Sequence, residues 1–178
     1  MTRRQWGRRS VLLIGVAALG GMAWPAPAGA NVVSVGDLSF TVPPTISPSP
    51  PTDDLGEAWQ WQGRTPGSST LPATVVLARA DVAATDPEEV LGLVLAGSVS
   101  GLLADLQLTS RRSRPMPGGG DQTRVGLQYT AGQDLAYHGE LLIATRQAPP
   151  AGLLVVLGDD QLTAGTIDSV LESARWRP

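Results

Sequence analysis

Few residues of this chain could carry out catalytic chemistry. His138 is the only imidazole in the 178 residues, and Glu140 stands two positions further on. In an extended strand a two-residue step returns to the same side of the sheet, so the two side chains would share one face. A His beside a carboxylate can orient a general base or bind a metal weakly. The alternative, which we adopt, is an ordinary cross-strand or surface pair.

The composition excludes several other kinds of site. The chain has no Cys and no Lys, and all 13 of its basic side chains are Arg. Disulfides, thiolate metal sites, a cysteine nucleophile, a Schiff base and a P-loop lysine are therefore excluded. A single His also excludes metal sites built from several imidazoles. We predict neither a cofactor nor a metal.

Three further motifs have simpler explanations than chemistry. Ser98 and Ser100 stand in a Gly-Ser-Val-Ser-Gly run whose central residue is not Ser, so helix packing explains the small residues. The three glycines at 118–120 are followed by neither a helix nor a Lys, and we interpret them as a hairpin loop. The acidic pairs at 53–54 and 159–160 lack the loop spacing that calcium requires. We therefore predict that the protein is not an enzyme.

Trp59 and Trp61 form the most suggestive pair in the chain. On a strand they would share one face, because Gln60 between them points to the other side. An exposed pair could stack against a sugar ring or line an apolar groove, whereas a buried pair would fill the space between sheet and helix. We favour a core position and keep the pair as the one candidate ligand-binding site.

The first 30 residues have the order of an export signal. The charged segment contains four arginines, Arg3, Arg4, Arg8 and Arg9. An apolar stretch at 10–23 follows, and Ala28 and Ala30 are the small residues that a signal peptidase recognises. Because that stretch is shorter than the about 20 residues of a membrane span, a cleaved signal is favoured over a retained anchor. We predict cleavage after Ala30, a single mature domain at residues 31–178 and no membrane span after processing.

The paired arginines resemble a twin-arginine export signal, a pathway that exports folded proteins. The alternative is a Sec signal in which every positive charge is Arg because the chain has no Lys. We favour the twin-arginine route and a secreted, extracytoplasmic location in the cell envelope. No Cys is present to carry a lipid anchor.

The charge of the mature chain argues against two classes of partner. Removal of residues 1–30 takes away four Arg and no acid, which leaves nine Arg against 16 acids and a formal charge of −7. Sequence-independent binding to nucleic acid or to anionic membranes requires the opposite sign of charge. The Ala-, Gly- and Arg-rich composition resembles that of proteins from high-GC bacteria such as actinobacteria.

Hydrophobic periodicity predicts an α+β domain. A strand at 33–42 is followed by a Pro-rich loop at 43–52, which must leave the sheet because Pro donates no ladder hydrogen bond. The clearest helix covers 86–106, with Asp86 as its N-cap and Pro87 in its first turn. Further strands are predicted at 58–62, 73–80, 106–110, 123–130, 137–145 and 152–157, and a closing helix at 163–175. Strands grouped in this way predict a largely antiparallel sheet packed by two helices.

This order of elements resembles the PsbP-like α/β/α sandwich. The resemblance is carried by Phe40-Thr41-Val42-Pro43, by the helix start Asp86-Pro87-Glu88-Glu89 and by the closing run from Ile167 to Trp176. Among PsbP-like proteins, the secreted actinobacterial LpqN type is the most similar, although this chain lacks its lipid-attachment Cys. The resemblance implies an accessory or binding protein and brings no shared catalytic residues.

These observations predict a secreted, non-enzymatic binding or accessory protein of the bacterial cell envelope. Its partner would be an envelope protein or a small apolar or glycan ligand, and not a nucleic acid. Two alternatives stay open: a small secreted hydrolase that uses His138, and a surface protein that interacts through its Pro/Ser/Thr-rich segment.

Overall fold

A computed structural model describes residues 29–50, 59–66, 74–99, 107–131 and 135–178, without the side chains of 97–99, 129–131 and 135. The predicted export arginines, the cleavage residue Ala28, the acidic pair at 53–54 and Ser100 lie outside these residues. Within them, neither helix combines the length and the apolar character needed to cross a bilayer.

The described residues form ten strands and two helices. In chain order they are β1 (Asn31–Val35), β2 (Leu38–Val42), β3 (Ser47–Pro48), β4 (Trp61–Arg64), β5 (Thr74–Val82), α1 (Pro87–Val99), β6 (Gln107–Pro115), β7 (Asp121–Ala131), β8 (Leu135–Thr145), β9 (Ala151–Gly158), α2 (Ala164–Leu171) and β10 (Arg175–Trp176). A small sheet has the order β1-β2-β10, and a large sheet has the order β3-β4-β5-β9-β8-β7-β6. All of the strand pairs are antiparallel. The predicted α+β class with a largely antiparallel sheet is confirmed.

The large sheet buries apolar side chains on both of its faces. On one face, Leu38 of the small sheet and residues of α2 pack over Leu142. On the other face, Val90 and Leu91 of α1 pack in the cluster that contains Leu141. Neighbouring residues of β8 belong to different clusters because side chains alternate along a strand. The layers are therefore the small sheet with α2, then the large sheet, then α1.

The segment predicted as a single strand at 33–42 is a hairpin. Val35 pairs with Leu38 across a two-residue turn made by Gly36 and Asp37. Gly36 has φ +53°, a conformation that glycine adopts without steric cost. The single-strand prediction is wrong because this turn lies inside an otherwise alternating apolar pattern.

Part of the Pro-rich segment stays in the sheet. Ser47 and Pro48 pair with Arg64 and Gly63 of β4, and Ser49 N donates to Gln62 O at 3.0 Å. The prediction that this segment leaves the sheet is therefore wrong at β3. Pro is tolerated there because β3 is an edge strand, where a missing N–H breaks no inner ladder.

The predicted start of α1 is confirmed. The helix begins at Pro87, and the Asp86 carboxylate accepts from Glu88 N at 2.8 Å, which satisfies one of the free N–H groups of the first turn. The described part of the helix ends at Val99, and the predicted continuation from 100 to 106 lies outside the described residues.

The closing helix is shorter than predicted. Thr163 caps its start, and the helix ends at Leu171 with Glu172 as the C-cap. The predicted continuation to Arg175 is wrong because Arg175 and Trp176 pair with β2 as a short strand.

Candidate functional site

The two tryptophans predicted to share one face belong to opposite faces of the large sheet. Trp61 begins β4 and packs edge-to-face on Phe40, with 5.5 Å between the ring centroids. Trp59 precedes the strand and packs with the cluster under α1. The chain bends at Gln60, whose Oε1 accepts from Ala80 N at 2.9 Å, so strand alternation starts only at Trp61. The shared-face interpretation is wrong, and the two half-buried rings do not form one binding surface.

His138 and Glu140 lie on the same face of β8, on the side of α2, as their spacing predicts. His138 Nε2–H donates to the main-chain carbonyl of Leu162 at 2.8 Å. Glu140 Oε2 accepts from Arg124 Nε at 2.6 Å. Each side chain therefore has its own structural partner, and the contacts do not join the two into one catalytic pair.

Beside this pair lies a group of ion pairs, the Arg124 cluster. Its members are Arg112, Arg114, Arg124, Glu140, Asp168 and Glu172. The side chain of Arg124 is only 3% exposed, and its nitrogens lie 2.6 Å from Glu140 and 2.7 Å from Asp168. A buried guanidinium requires such partners because its charge has lost contact with water. The cluster fastens α2 to strands β6, β7 and β8.

A solvent-open groove of about 900 Å³ lies at one end of the sheets. Its walls come from four parts of the sequence: Thr85 before α1, the loop between β6 and β7, the end of β8 with the residues after it, and Trp176 with Arg177. We call it the Trp176 groove. It brings together two guanidiniums, those of Arg146 and Arg177, and one carboxylate, that of Asp121.

Close backbone approach shapes the glycine loop of this groove. Gly118, Gly119 and Gly120 all have positive φ, at 89°, 100° and 77°. A Cβ on Gly118 would collide with the carbonyl of Trp176, and one on Gly120 would collide with the carbonyl of Thr145. The predicted hairpin loop is confirmed, since Pro115 and Asp121 pair on either side of it.

Arg146 is held in a fixed position over an aromatic ring. Its guanidinium carbon lies 4.6 Å from the centroid of the Trp176 ring, a cation–π contact. One of its nitrogens, Nη2, lies 2.8 Å from Asp37 Oδ2. Trp176 itself is buried, and its main-chain N–H donates to Pro117 O at 3.2 Å.

Arg177 has neutral partners. Its main-chain N–H donates to Asp37 O at 2.8 Å, and its guanidinium donates to the carbonyl of Gly36. Among the described residues, no carboxylate oxygen lies within 4.0 Å of its guanidinium nitrogens. The described residues also contain no group of three or more His, Asp or Glu arranged to hold a metal ion.

Sequence reasoning missed the Trp176 groove. Its walls are contributed by residues near 85, 120, 146 and 176, and periodicity does not indicate that these meet in space. One signal was present: three consecutive glycines require an explanation, and close approach to neighbouring backbone is a common one.

Comparison with known proteins supports the fold. No protein-family model matches the chain, and no curated protein matches it significantly. The solution structure of cyanobacterial PsbP from Synechocystis sp. PCC 6803 is similar with a TM-score of 0.59 and 11% identity, covering 90% of this chain and 98% of that protein. The fold is therefore PsbP-like, as the order of elements predicted. At this identity the similarity concerns the fold alone.

Two further solved structures are more distant. A protein from Bacteroides thetaiotaomicron VPI-5482 gives a TM-score of 0.47 with 13% identity, covering 82% of this chain, which spans 47% of that protein. The Saccharomyces cerevisiae Ran-binding protein Mog1p gives a TM-score of 0.47 with 8% identity, covering 76% of this chain and 79% of Mog1p. Similarity at this level is too weak to support an inference.

Proposed function

We propose that the protein is an exported, non-enzymatic binding or accessory module of the bacterial cell envelope. The observation that carries this proposal is the Trp176 groove, an open site in which Arg146 is already fixed by Trp176 and Asp37. A site whose side chains are held in place before a ligand arrives loses less entropy on binding. The LpqN-type relationship is part of the same proposal.

The contacts of His138 favour this function over a hydrolase. The hydrolase alternative paired His138 with a carboxylate or a hydroxyl in one site. In the structure Nε2–H of His138 donates to Leu162 O and Glu140 accepts from Arg124, so the two side chains do not form a His–carboxylate pair. Neither member of the pair lines the Trp176 groove.

The position of strand β1 is compatible with processing after Ala30. Strand β1 begins at Asn31, the first residue of the proposed mature chain. Removal of residues 1–30 therefore leaves the β1–β2 hairpin complete. Export itself rests on the order of the arginines, the apolar stretch and the small residues Ala28 and Ala30.

Secretion of the full-length chain from a bacterial host tests export. We expect the culture fluid to contain a protein whose mass corresponds to a start at Asn31. Two double variants separate the routes: in one, Arg3 and Arg4 are both replaced by Lys, and in the other, Arg8 and Arg9 are both replaced by Lys. These replacements should block the twin-arginine route and leave a Sec signal working. Normal secretion of both paired variants would overturn the twin-arginine route, and retention of unprocessed wild-type chain in the cytoplasm would overturn export.

A panel of ester, glycoside and peptide substrates tests the non-enzymatic assignment. We expect no turnover by the purified protein. His138→Ala is the diagnostic variant, and Gln128→Ala is its matched control because Gln128 is the exposed cross-strand neighbour of His138. Turnover that is lost in His138→Ala and kept in Gln128→Ala would replace the binding assignment with the hydrolase alternative.

A further inference from the structure

We propose that the Trp176 groove binds an oxyanion, the carboxylate or phosphate group of a small ligand, through Arg146 and Arg177. This inference rests on the proposed binding function and names the site and the ligand chemistry. Both groups present two or more acceptor oxygens, which match the planar fork of N–H donors on a guanidinium.

Arg146 is prepared for such a ligand. The Trp176 ring supports one face of the guanidinium at 4.6 Å, and Asp37 approaches its Nη2 at 2.8 Å. A guanidinium has five N–H donors in its plane, so the contact with one carboxylate oxygen leaves donors for a second acceptor. Its side chain is 30% exposed, which keeps it accessible from the groove.

Arg177 adds a positive charge that no described carboxylate balances. The arginines of the Arg124 cluster lie within 4.0 Å of Glu140, Asp168 or Glu172, whereas the Arg177 guanidinium donates to the neutral carbonyl of Gly36. An oxyanion would supply the missing negative charge. Asp121 lines the same groove, and its carboxylate favours a ligand with a single anionic group over one with several.

The Trp176 ring is a suitable reporter of binding at this site. The residue is 3% exposed, and its enclosed indole N–H makes no hydrogen bond with the described residues. Because the ring supports the Arg146 guanidinium at 4.6 Å, an anion that binds Arg146 changes the electrostatic environment of the indole N–H.

The test is an NMR titration of the ¹⁵N-labelled full chain with sodium phosphate and, separately, with sodium acetate. Sodium chloride at the same ionic strength is the baseline. The signal followed is the indole N–H of Trp176, assigned by its disappearance in Trp176→Phe. We expect a saturable shift with at least one oxyanion and none with chloride. Saturation by phosphate alone assigns a phosphate-bearing ligand, and saturation by acetate alone assigns a carboxylate-bearing one.

Three variants show whether the binding is local to the groove. Arg146→Gln and Arg177→Gln should each weaken oxyanion binding about tenfold, because each removes a charge-assisted hydrogen bond. Arg175→Gln removes the same charge from an exposed neighbour that does not line the groove, and should bind like wild type. Well-dispersed spectra establish that each variant is folded.

Two results would overturn the oxyanion site. One is a shift with phosphate and acetate no larger than that with chloride. The other is a loss of oxyanion affinity in Arg175→Gln as large as that in Arg177→Gln, because equal losses would indicate a general effect of net charge and not a local site. The secretion and hydrolase tests do not depend on the groove, so their outcome remains separate from the outcome of this titration.

Discussion

The Arg124 cluster and the Trp176 groove use the same side chain in opposite ways. In the cluster, the buried guanidinium of Arg124 is surrounded by carboxylates of the chain itself, at 2.6 and 2.7 Å. In the groove, Arg146 contacts the Asp37 carboxylate and the Trp176 ring, and the Arg177 guanidinium donates to the neutral carbonyl of Gly36. A buried arginine that balances the chain's own carboxylates cannot be removed without leaving those carboxylates unpaired. One that is accessible and unbalanced is available to a ligand.

Arg124→Gln should give the largest effect. We expect it to lower the free energy of unfolding by about 3 kcal/mol, since Glu140 and Asp168 would lose the cation they are packed against. Urea denaturation measures the change. The control is Arg112→Gln, which should cost less than about 1 kcal/mol, because the Arg112 side chain is 62% exposed and its Nη2 lies 3.6 Å from the same carboxylates. Similar losses in the two variants would contradict the structural role of Arg124.

In the groove, the largest loss of stability should come from the glycine loop rather than from an arginine. Gly120→Ala should cost about 2 kcal/mol, because a positive φ is strained for Ala and the new Cβ would meet the Thr145 carbonyl. Gly119→Ala is the matched control: its φ is also positive, but a Cβ there meets nothing within 4 Å. Thermal melts of the two variants compare them. A Gly119 variant as unstable as the Gly120 variant would show that backbone strain alone explains the glycines.

His138→Ala should have an intermediate effect beside the Arg124 cluster. We expect a loss of about 1 kcal/mol, because the Leu162 carbonyl loses its hydrogen-bond donor. Gln128→Ala, at the exposed cross-strand position, should change stability by less than about 0.5 kcal/mol. Chemical denaturation measures the free energy of unfolding of both variants. A value for His138→Ala equal to that of the wild type would mean that this hydrogen bond contributes nothing to the stability of the fold.

Arg177→Gln should have the smallest effect on stability. It gives the most direct comparison of an arginine of the Trp176 groove with one of the Arg124 cluster. The substitution is the same as at Arg124, yet we expect a change within about 0.5 kcal/mol, because Arg177 is exposed and makes no ion pair with a described carboxylate. Urea denaturation of Arg124→Gln and Arg177→Gln in parallel measures the difference. If Arg177→Gln lowered the free energy of unfolding as much as Arg124→Gln does, Arg177 would have a structural role and would not be available to a ligand.

Local sequence patterns predicted the parts of the fold that depend on local physics. The start of α1 at Asp86 and Pro87 follows from capping, and the central strands follow from apolar periodicity. The hairpin turn at Gly36 and Asp37 was missed although a turn signal was present, because the apolar alternation continues across it. Strand β10 was missed because its two residues gain their strand character only by pairing with β2.

The sites were harder to predict because, as for β10, their contacts join residues that are distant in the sequence. The spacing of His138 and Glu140 correctly gave a shared face, but their partners, Leu162 and Arg124, come from other elements. For Trp59 and Trp61, alternation failed because the strand begins at the second of the two residues. The Trp176 groove needs the register of several strands at once, and one-dimensional periodicity contains no such information.

The small sheet has a consequence for the timing of folding. Ser39 of β2 donates to the carbonyl of Arg175, 136 residues further along the chain, and Thr41 N donates to Ser173 Oγ at 2.7 Å. These contacts cannot form on the ribosome until the segment around residue 175 has been synthesised, and contacts between such distant positions close slowly. The hairpin that follows the proposed leader therefore waits, unpaired on one edge, for the last strand. A transport route that accepts only folded chains would have to wait for the same event.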